Sequence, residues 1–269
     1  MKKLVLVLLA GMLAVPGIST AQKKETRNVS EFTSVNFGVP GTVGGKQGSA
    51  HSVVLEGDPE VLAHVKTEVK GGRLNIVPEE NWRSWKSRQV TAHITMKTVD
   101  GLGVSGSGTL TADGTIRTDD IDLWVSGSGD MNIQVEATGE MEARVSGSGK
   151  MTVRGSCAEL EGSVGGSGDL SLNVGKAKDA EFEIAGSGNI RASGSADVAE
   201  INISGSGKLR GADFSTRVAR VRITGSGDVE IAASEEIDAQ ITGSGTVLYK
   251  GDPARVNSHS TGSGKVRKL

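Results

Sequence analysis

Cysteine is almost missing from this chain. Cys157 is the single one, so no internal disulfide can form and no cysteine near the N-terminus can carry a lipid. Stability has to come from packing and backbone pairing. Proline occurs only 5 times and aromatic residues make up 3% of the sequence, so the stacked aromatic platforms of sugar grooves are scarce. Charge of one sign is missing too. The formal net charge is -2, which gives no reason to expect a nucleic-acid partner. The four histidines, His51, His64, His93 and His259, are dispersed and match no metal-ligand spacing. Long hydrophobic runs are lacking as well. The apolar stretch Leu4 to Leu13, broken by Ala10 and Gly11, is too short for a bilayer, which takes about 20 residues. It follows Lys2 and Lys3 and precedes Ser19-Thr20-Ala21, the small residues of a cleavage site. Residues 1–21 are therefore expected to be a signal peptide, with the mature chain starting at Gln22 and no transmembrane segment left after cleavage. That places the protein in the periplasm, the outer envelope or outside the cell.

Glycine is what the chain has in abundance. It occurs 39 times in 269 residues, about twice the ordinary share of ~7%. Much of it is periodic. Gly-Ser-Gly begins at 106, 127, 147, 166, 186, 205, 225, 243 and 262, with spacings of 21, 20, 19, 20, 19, 20, 18 and 19 residues. Two residues before each tripeptide stand Val104, Val125, Val145, Val164, Ile184, Ile203, Ile223 and Ile241, with Ser260 in the last unit. Four residues after its first glycine stand Leu110, Met131, Met151, Leu170, Ile190, Leu209, Val229, Val247 and Val266. Apolar residues alternate with polar ones on both flanks, as in Asp130-Met131-Asn132-Ile133-Gln134-Val135. Period two means strands with one buried face, not helices. Each repeat reads as strand, glycine-serine-glycine corner, strand, loop. Strands one repeat apart pair in parallel, which makes an all-β, parallel β-helix of about 19–20 residues per coil. Its hand is expected to be right-handed, as parallel crossovers nearly always are. Continuing the alternation through the corner places both glycines inward and the serine outward.

Residues 22–103 are less regular and are expected to form the first coils and the N-terminal cap, continuous with a regular solenoid over 104–269. Phe32 to Val39, His51 to Glu56, Lys66 to Val69, Arg73 to Val77 and Gln89 to Thr98 read as strands. Asp58-Pro59-Glu60 before Val61 and Leu62 reads as a short helix with an aspartate cap. Glu79 to Ser87, which holds Trp82 and Trp85, reads as a loop.

Together these features resemble the bacterial head GIN domain family, labelled an auto-transporter adhesin head. The resemblance covers about residues 30–266. It rests on Phe32-Thr33-Ser34-Val35, Ser52-Val53-Val54-Leu55-Glu56-Gly57-Asp58, Gly72-Arg73-Leu74-Asn75-Ile76 and Val104-Ser105-Gly106-Ser107-Gly108, followed by the ordered repeats. It implies a secreted β-helical protein whose biochemical role is open. No segment after Leu269 could form a translocator barrel, so the chain is not expected to export itself. The final repeat, with Lys265, Arg267 and Lys268 on its last strand, ends in charge and polarity, which defends an open edge against pairing. A monomer is expected on that ground.

Two columns of carboxylates stand out. Asp122, Glu142, Glu161 and Glu181 lie five residues before a corner, and Asp120, Glu140, Glu159 and Asp179 lie seven before. All eight share the outward parity, so stacked coils would gather them into one acidic patch. It is either a solubility face partly neutralised by Arg144 and its neighbours, or a site for a divalent cation or a basic partner. The residues following the corners, from Thr109 through Asp130, Lys150 and Asp169 to Lys265, mix charges and do not match a calcium-binding repeat loop. Trp82, Trp85 and Trp124 either form a ligand surface or pack a cap. No catalytic residues, metal ligands or cofactor site of an enzyme are expected. Two functions stay open. One is a non-catalytic envelope or surface scaffold, an adhesin that binds a surface polymer, glycan or protein. The other is a polysaccharide-active β-helix enzyme, a lyase or hydrolase, which would need long loops around a groove with converging carboxylates.

Overall fold

Alternating side chains and flexible corners give the chain its architecture directly. In a computed structural model, which describes residues 22–269 apart from 81, 83, 84, 86 and 87, the chain is 72% strand and forms a parallel β-solenoid of about 8 turns. The expected signal peptide, and part of the loop expected at 79–87, lie outside the described residues. The N-terminal strands are β1 (Lys23–Thr26), β2 (Ser34–Phe37), β3 (Gly41–Gln47), β4 (Ser52–Gly57), β5 (Val65–Lys70), β6 (Arg73–Pro78), β7 (Val90–Met96), β8 (Gly101–Val104) and β9 (Thr109–Thr118). The repeats then supply β10 (Ile121–Gly127), β11 (Asp130–Ala137), β12 (Glu140–Gly147), β13 (Lys150–Ser156), β14 (Glu159–Gly166), β15 (Asp169–Lys176) and β16 (Asp179–Gly186). Longer strands follow, β17 (Asn189–Gly205), β18 (Lys208–Gly225) and β19 (Asp228–Gly243), then β20 (Thr246–Lys250), β21 (Arg255–Gly262) and β22 (Lys265–Lys268).

Repeat spacing sets the register. β10 pairs in parallel with β12, β12 with β14 and β14 with β16, each aligning the corner glycines Gly127, Gly147, Gly166 and Gly186. From the second corner onward the serine N–H donates to the carbonyl of the first glycine one coil earlier, as from Ser148 to Gly127 at 2.9 Å. The residue after the corner donates to the second glycine, as from Lys150 to Gly129 at 3.0 Å. The corners therefore stack by backbone bonds.

One expectation is corrected here. Only the second glycine of the first eight corners is buried, Gly264 of the last being half-buried, while the first glycine is exposed or half-buried throughout. From Gly127 to Gly262 the first glycines have φ between 115° and 125°, which breaks the two-residue alternation. The serines face outward, as alternation predicted.

The interior is a set of stacked columns. Val104, Val125, Val145, Val164, Ile184, Ile203, Ile223 and Ile241 are each at most 3% exposed. The column from Leu110 through Met131, Met151 and Leu170 to Val247 is equally buried. At the C-terminal end the columns continue into Val256, 41% exposed, and into exposed Ser258 and Ser260. Polar residues thus replace apolar ones where covering coils run out.

At the N-terminal end spatial order departs from chain order. β2 lies between β6 and β8, and β3 lies between β7 and β9, all in parallel. The β2–β3 coil is thus sandwiched between two coils formed later in the chain. Antiparallel strands finish this end, with β5 on β6, β4 on β7 and β1 on β4. The short helix is Pro59–Ala63, capped by Asp58, whose carboxylate accepts from the Glu60 N–H at 2.9 Å. The sequence pattern gave no strand for β1 or β3.

Candidate functional site

The acidic columns become ladders. Register aligns Asp122 with Glu142, Glu142 with Glu161, Glu161 with Glu181 and Glu181 with Glu200. Beside them Glu140 aligns with Glu159 and Glu159 with Asp179. Asp120 sits just ahead of β10 and turns its carboxylate to the backbone, accepting from the Glu140 N–H at 2.8 Å. Arg144 pairs with Glu142 and, at 3.3 Å, with Asp122. Lys178 lies 3.2 Å from Asp179, and Arg220 lies 3.1 Å from Glu200, which closes the ladder. Glu161 and Glu181 are left between these cations, along a shallow hollow of about 280 Å³ that Glu140, Glu159 and Arg220 also line.

The stripe carries an electrostatic cost. Burial first, then repulsion from Glu161, Glu200 and Glu183, push the Glu181 carboxyl above the usual glutamate range. Between the ordinary glutamate range and its raised folded pKa, the native form therefore binds a proton that the unfolded chain has lost. Stability associated with Glu181 falls as pH rises through the folded pKa and is recovered on acidification toward the ordinary value near 4.5. Glu181→Gln is expected to raise the melting temperature at pH 7 by roughly 1–2 °C, because partly exposed carboxylates one strand apart repel by less than about 1 kcal/mol. Melting curves across pH check this, and the gain should shrink below neutrality. A variant less stable than wild type at pH 7 would contradict it.

No group of three or more His, Cys, Asp or Glu side chains among the described residues is close enough to hold a metal ion. Neighbouring acids point outward in parallel and do not converge on one point. The column after the corners mixes charges as expected. Asp169 accepts from Asn189 at 3.0 Å and Asp228 pairs with Lys208 at 2.8 Å. Trp82 and Trp85 pack at the N-terminal cap, with Trp82 stacked on His64 at 5.0 Å and set edge-on to Trp85 at 4.6 Å. Burial raises the Cys157 thiol to about 11, so this cysteine is not a reactive nucleophile. A second concavity, beside Trp124 on the first coils, was not anticipated. Its sequence signal is the pair Gly101 and Gly103, opposite Asp122 and Trp124 in the register of β8 and β10.

No helix among the described residues is long and apolar enough to cross a membrane. Comparison with curated proteins gave no match. Among solved structures, a protein from Parabacteroides distasonis described as a "putative lipid binding protein" is 23% identical with a TM-score of 0.71, over 93% of this chain and 98% of its own. A "putative adhesin" from Parabacteroides merdae is 20% identical with a TM-score of 0.71, over 93% and 97%. A second such adhesin from P. distasonis, 20% identical over 93% and 98%, has a TM-score of 0.66. At these identities the likeness establishes the fold. The family model matches twice, over residues 31–190 and 159–253, and two overlapping matches are what a stack of similar coils produces. The chain belongs to the family described as "Putative auto-transporter adhesin, head GIN domain".

Proposed function

We propose that this protein is an exported, non-catalytic scaffold that binds a surface partner along the flank of its solenoid. The observation that carries this reading is the evenness of the repeats. Corners recur every 18 to 21 residues with no long insertion between them, so no loops rise beside the acidic stripe to enclose a substrate. Hydrolysis or elimination on a polysaccharide needs carboxylates or bases converging on one bond from a cleft. Here the carboxylates stand in parallel rows. Lipid carriage inside the coil is disfavoured, because the interior columns are filled by side chains that are almost wholly buried. Membership in an adhesin-named family supports the scaffold reading and an exported location.

The acidic stripe of Asp122, Glu140, Glu142, Glu159, Glu161, Asp179 and Glu181, with Asp120 at its edge, is the part of this face suited to a basic partner or to loosely held divalent cations. The protein is proposed to act as a monomer. Immobilised mature protein, probed with cell-surface proteins and polymers in increasing salt, tests the reading. Binding is expected, with no release of reducing ends or unsaturated products from polysaccharides. Turnover abolished by one substitution would overturn it in favour of the enzyme. Calcium at millimolar concentration is expected to raise the melting temperature through the stripe, since a ligand of the native state stabilises it.

A further inference from the structure

The outer face of the first coils holds a site of different chemistry. Register places Arg73, Ser34, Gly101 and Asp122 in one outward column and Asn75, Asn36, Gly103 and Trp124 in the next. The two glycines of β8 leave a trough one strand wide, and the Trp124 indole lies in it. A Cβ on Gly103 would fall 1.8 Å from Cε2 of the indole, and one on Gly101 would fall 2.5 Å from the Ser34 hydroxyl oxygen. From the opposite side Arg73 reaches over β2 and rests its guanidinium 4.4 Å from the indole centroid. Ser34 is 9% exposed and its hydroxyl has no hydrogen-bond partner, and the Asn36 carbonyl oxygen is likewise buried without one. Next to this trough, Ser34, Arg73, Asn75 and Gly101 line a hollow of about 520 Å³ together with Lys70, Asp100 and Asp122.

Each feature points to the same ligand chemistry. Buried polar atoms are nearly always paired, so two orphans side by side mark groups awaiting a partner. Asp100 and Asp122 accept hydrogen bonds, whereas Lys70 and Asn75 donate them. The mixture suits vicinal hydroxyls, each both donor and acceptor. It does not suit an anion, which the two aspartates would repel. The indole supplies an apolar face for the C–H side of a sugar ring. Arg73 covers that face, but its side chain is exposed and its contact with the ring is of the weak, solvent-exposed kind.

We propose that this hollow and the adjoining indole trough form a saccharide-binding subsite, in which a neutral sugar ring displaces Arg73, stacks on Trp124 and hydrogen-bonds to Ser34, Asn36 and Asp122. The proposal rests on the scaffold reading above and specifies the class of partner that one part of its flank takes.

Titration of the mature protein with neutral hexose oligosaccharides, followed by calorimetry and by tryptophan fluorescence, tests it. Trp124→Ala and Asp122→Asn are each expected to weaken binding by about tenfold or more. Ser34→Ala should weaken it without lowering the melting temperature, since it removes an unpaired hydroxyl. Arg73→Ala should tighten it about threefold by uncovering the indole, an outcome that a merely structural arginine would not give. Inorganic phosphate is the control ligand. Saccharide binding left intact in Trp124→Ala and Ser34→Ala would overturn the subsite while leaving the scaffold reading in place. Failure of every neutral oligosaccharide to bind, or phosphate binding that depends on Arg73, would also overturn it. Failure of the scaffold reading itself would instead appear as turnover.

Discussion

Gly186→Ala is expected to lower the melting temperature by about 10 °C, whereas Ser187→Ala, one residue away, should leave it nearly unchanged. Gly186 sits in the middle of the stack at φ 123°, a backbone conformation that side chains with a Cβ rarely adopt. Forcing an L-residue there costs on the order of 1–3 kcal/mol. Space adds a second penalty. The new Cβ would lie 2.6 Å from the Gly166 carbonyl oxygen, which accepts the Ser187 N–H at 2.9 Å. The carbonyl cannot retreat without losing that bond, and the next coil repeats the arrangement with Ser206 donating to Gly186 at 2.9 Å. Substituting one glycine therefore strains the contacts to both neighbouring coils. Amide hydrogen exchange should show lost protection at Ser187 and Ser206 first. Because each coil contacts chiefly its neighbours, the loss of protection should fade with distance along the stack. A melting temperature within about 2 °C of wild type would show that the corners tolerate a side chain and that their glycines serve some other purpose.

The same corner separates what the sequence makes legible from what it hides. Valine and isoleucine two residues before the first eight tripeptides are buried as period two requires, and the 18-to-21-residue spacing aligns the coils. Parity breaks at the first glycine because φ is positive there, and positive φ leaves no trace in a pattern of apolar and polar letters. At the N-terminal end β3 was invisible for a related reason. Its Gly41-Thr42-Val43-Gly44-Gly45-Lys46-Gln47 carries a single large apolar side chain, so alternation gives no signal, and pairing with β7 and β9 makes it a strand. The insertion of the β2–β3 coil between two later coils is a long-range choice that no local pattern encodes. The acidic stripe was readable from spacing alone, since register follows the corners. What spacing could not supply was the turn of Asp120 onto a backbone amide, or the pairing of Arg220 with Glu200 that ends the ladder. The Trp124 hollow stayed hidden because it depends on two glycines and a serine, residues whose meaning appears only when three coils are laid side by side.

Phe182→Ala is expected to cost about 3–5 kcal/mol, the usual range for emptying a buried phenylalanine site. The ring is wholly buried and meets Phe214 edge-on at 5.3 Å. Its place in the column explains why a phenylalanine is needed. Reading along the stack, the column runs Leu123, Ala143, Gly162, Phe182, Ile201. Alanine and glycine leave two coils underfilled, and the ring overhangs the gap. A Cβ on Gly162 would lie 3.4 Å from Cδ1 of Phe182 and 2.8 Å from Cδ1 of Leu172. Small and large residues on successive coils thus share one volume, and their substitutions should couple. Gly162→Ala alone is expected to destabilise by overpacking against Phe182 and Leu172. In the Phe182→Ala background the added methyl has more room, because only the movable ends of Leu170 and Leu172 oppose it. The double variant should therefore be more stable than the sum of the single effects predicts, by about 1 kcal/mol. Chemical denaturation of the four proteins measures the coupling. Strict additivity would mean that the gap above Gly162 is not filled by Phe182, and that the ring is held by Phe214 alone.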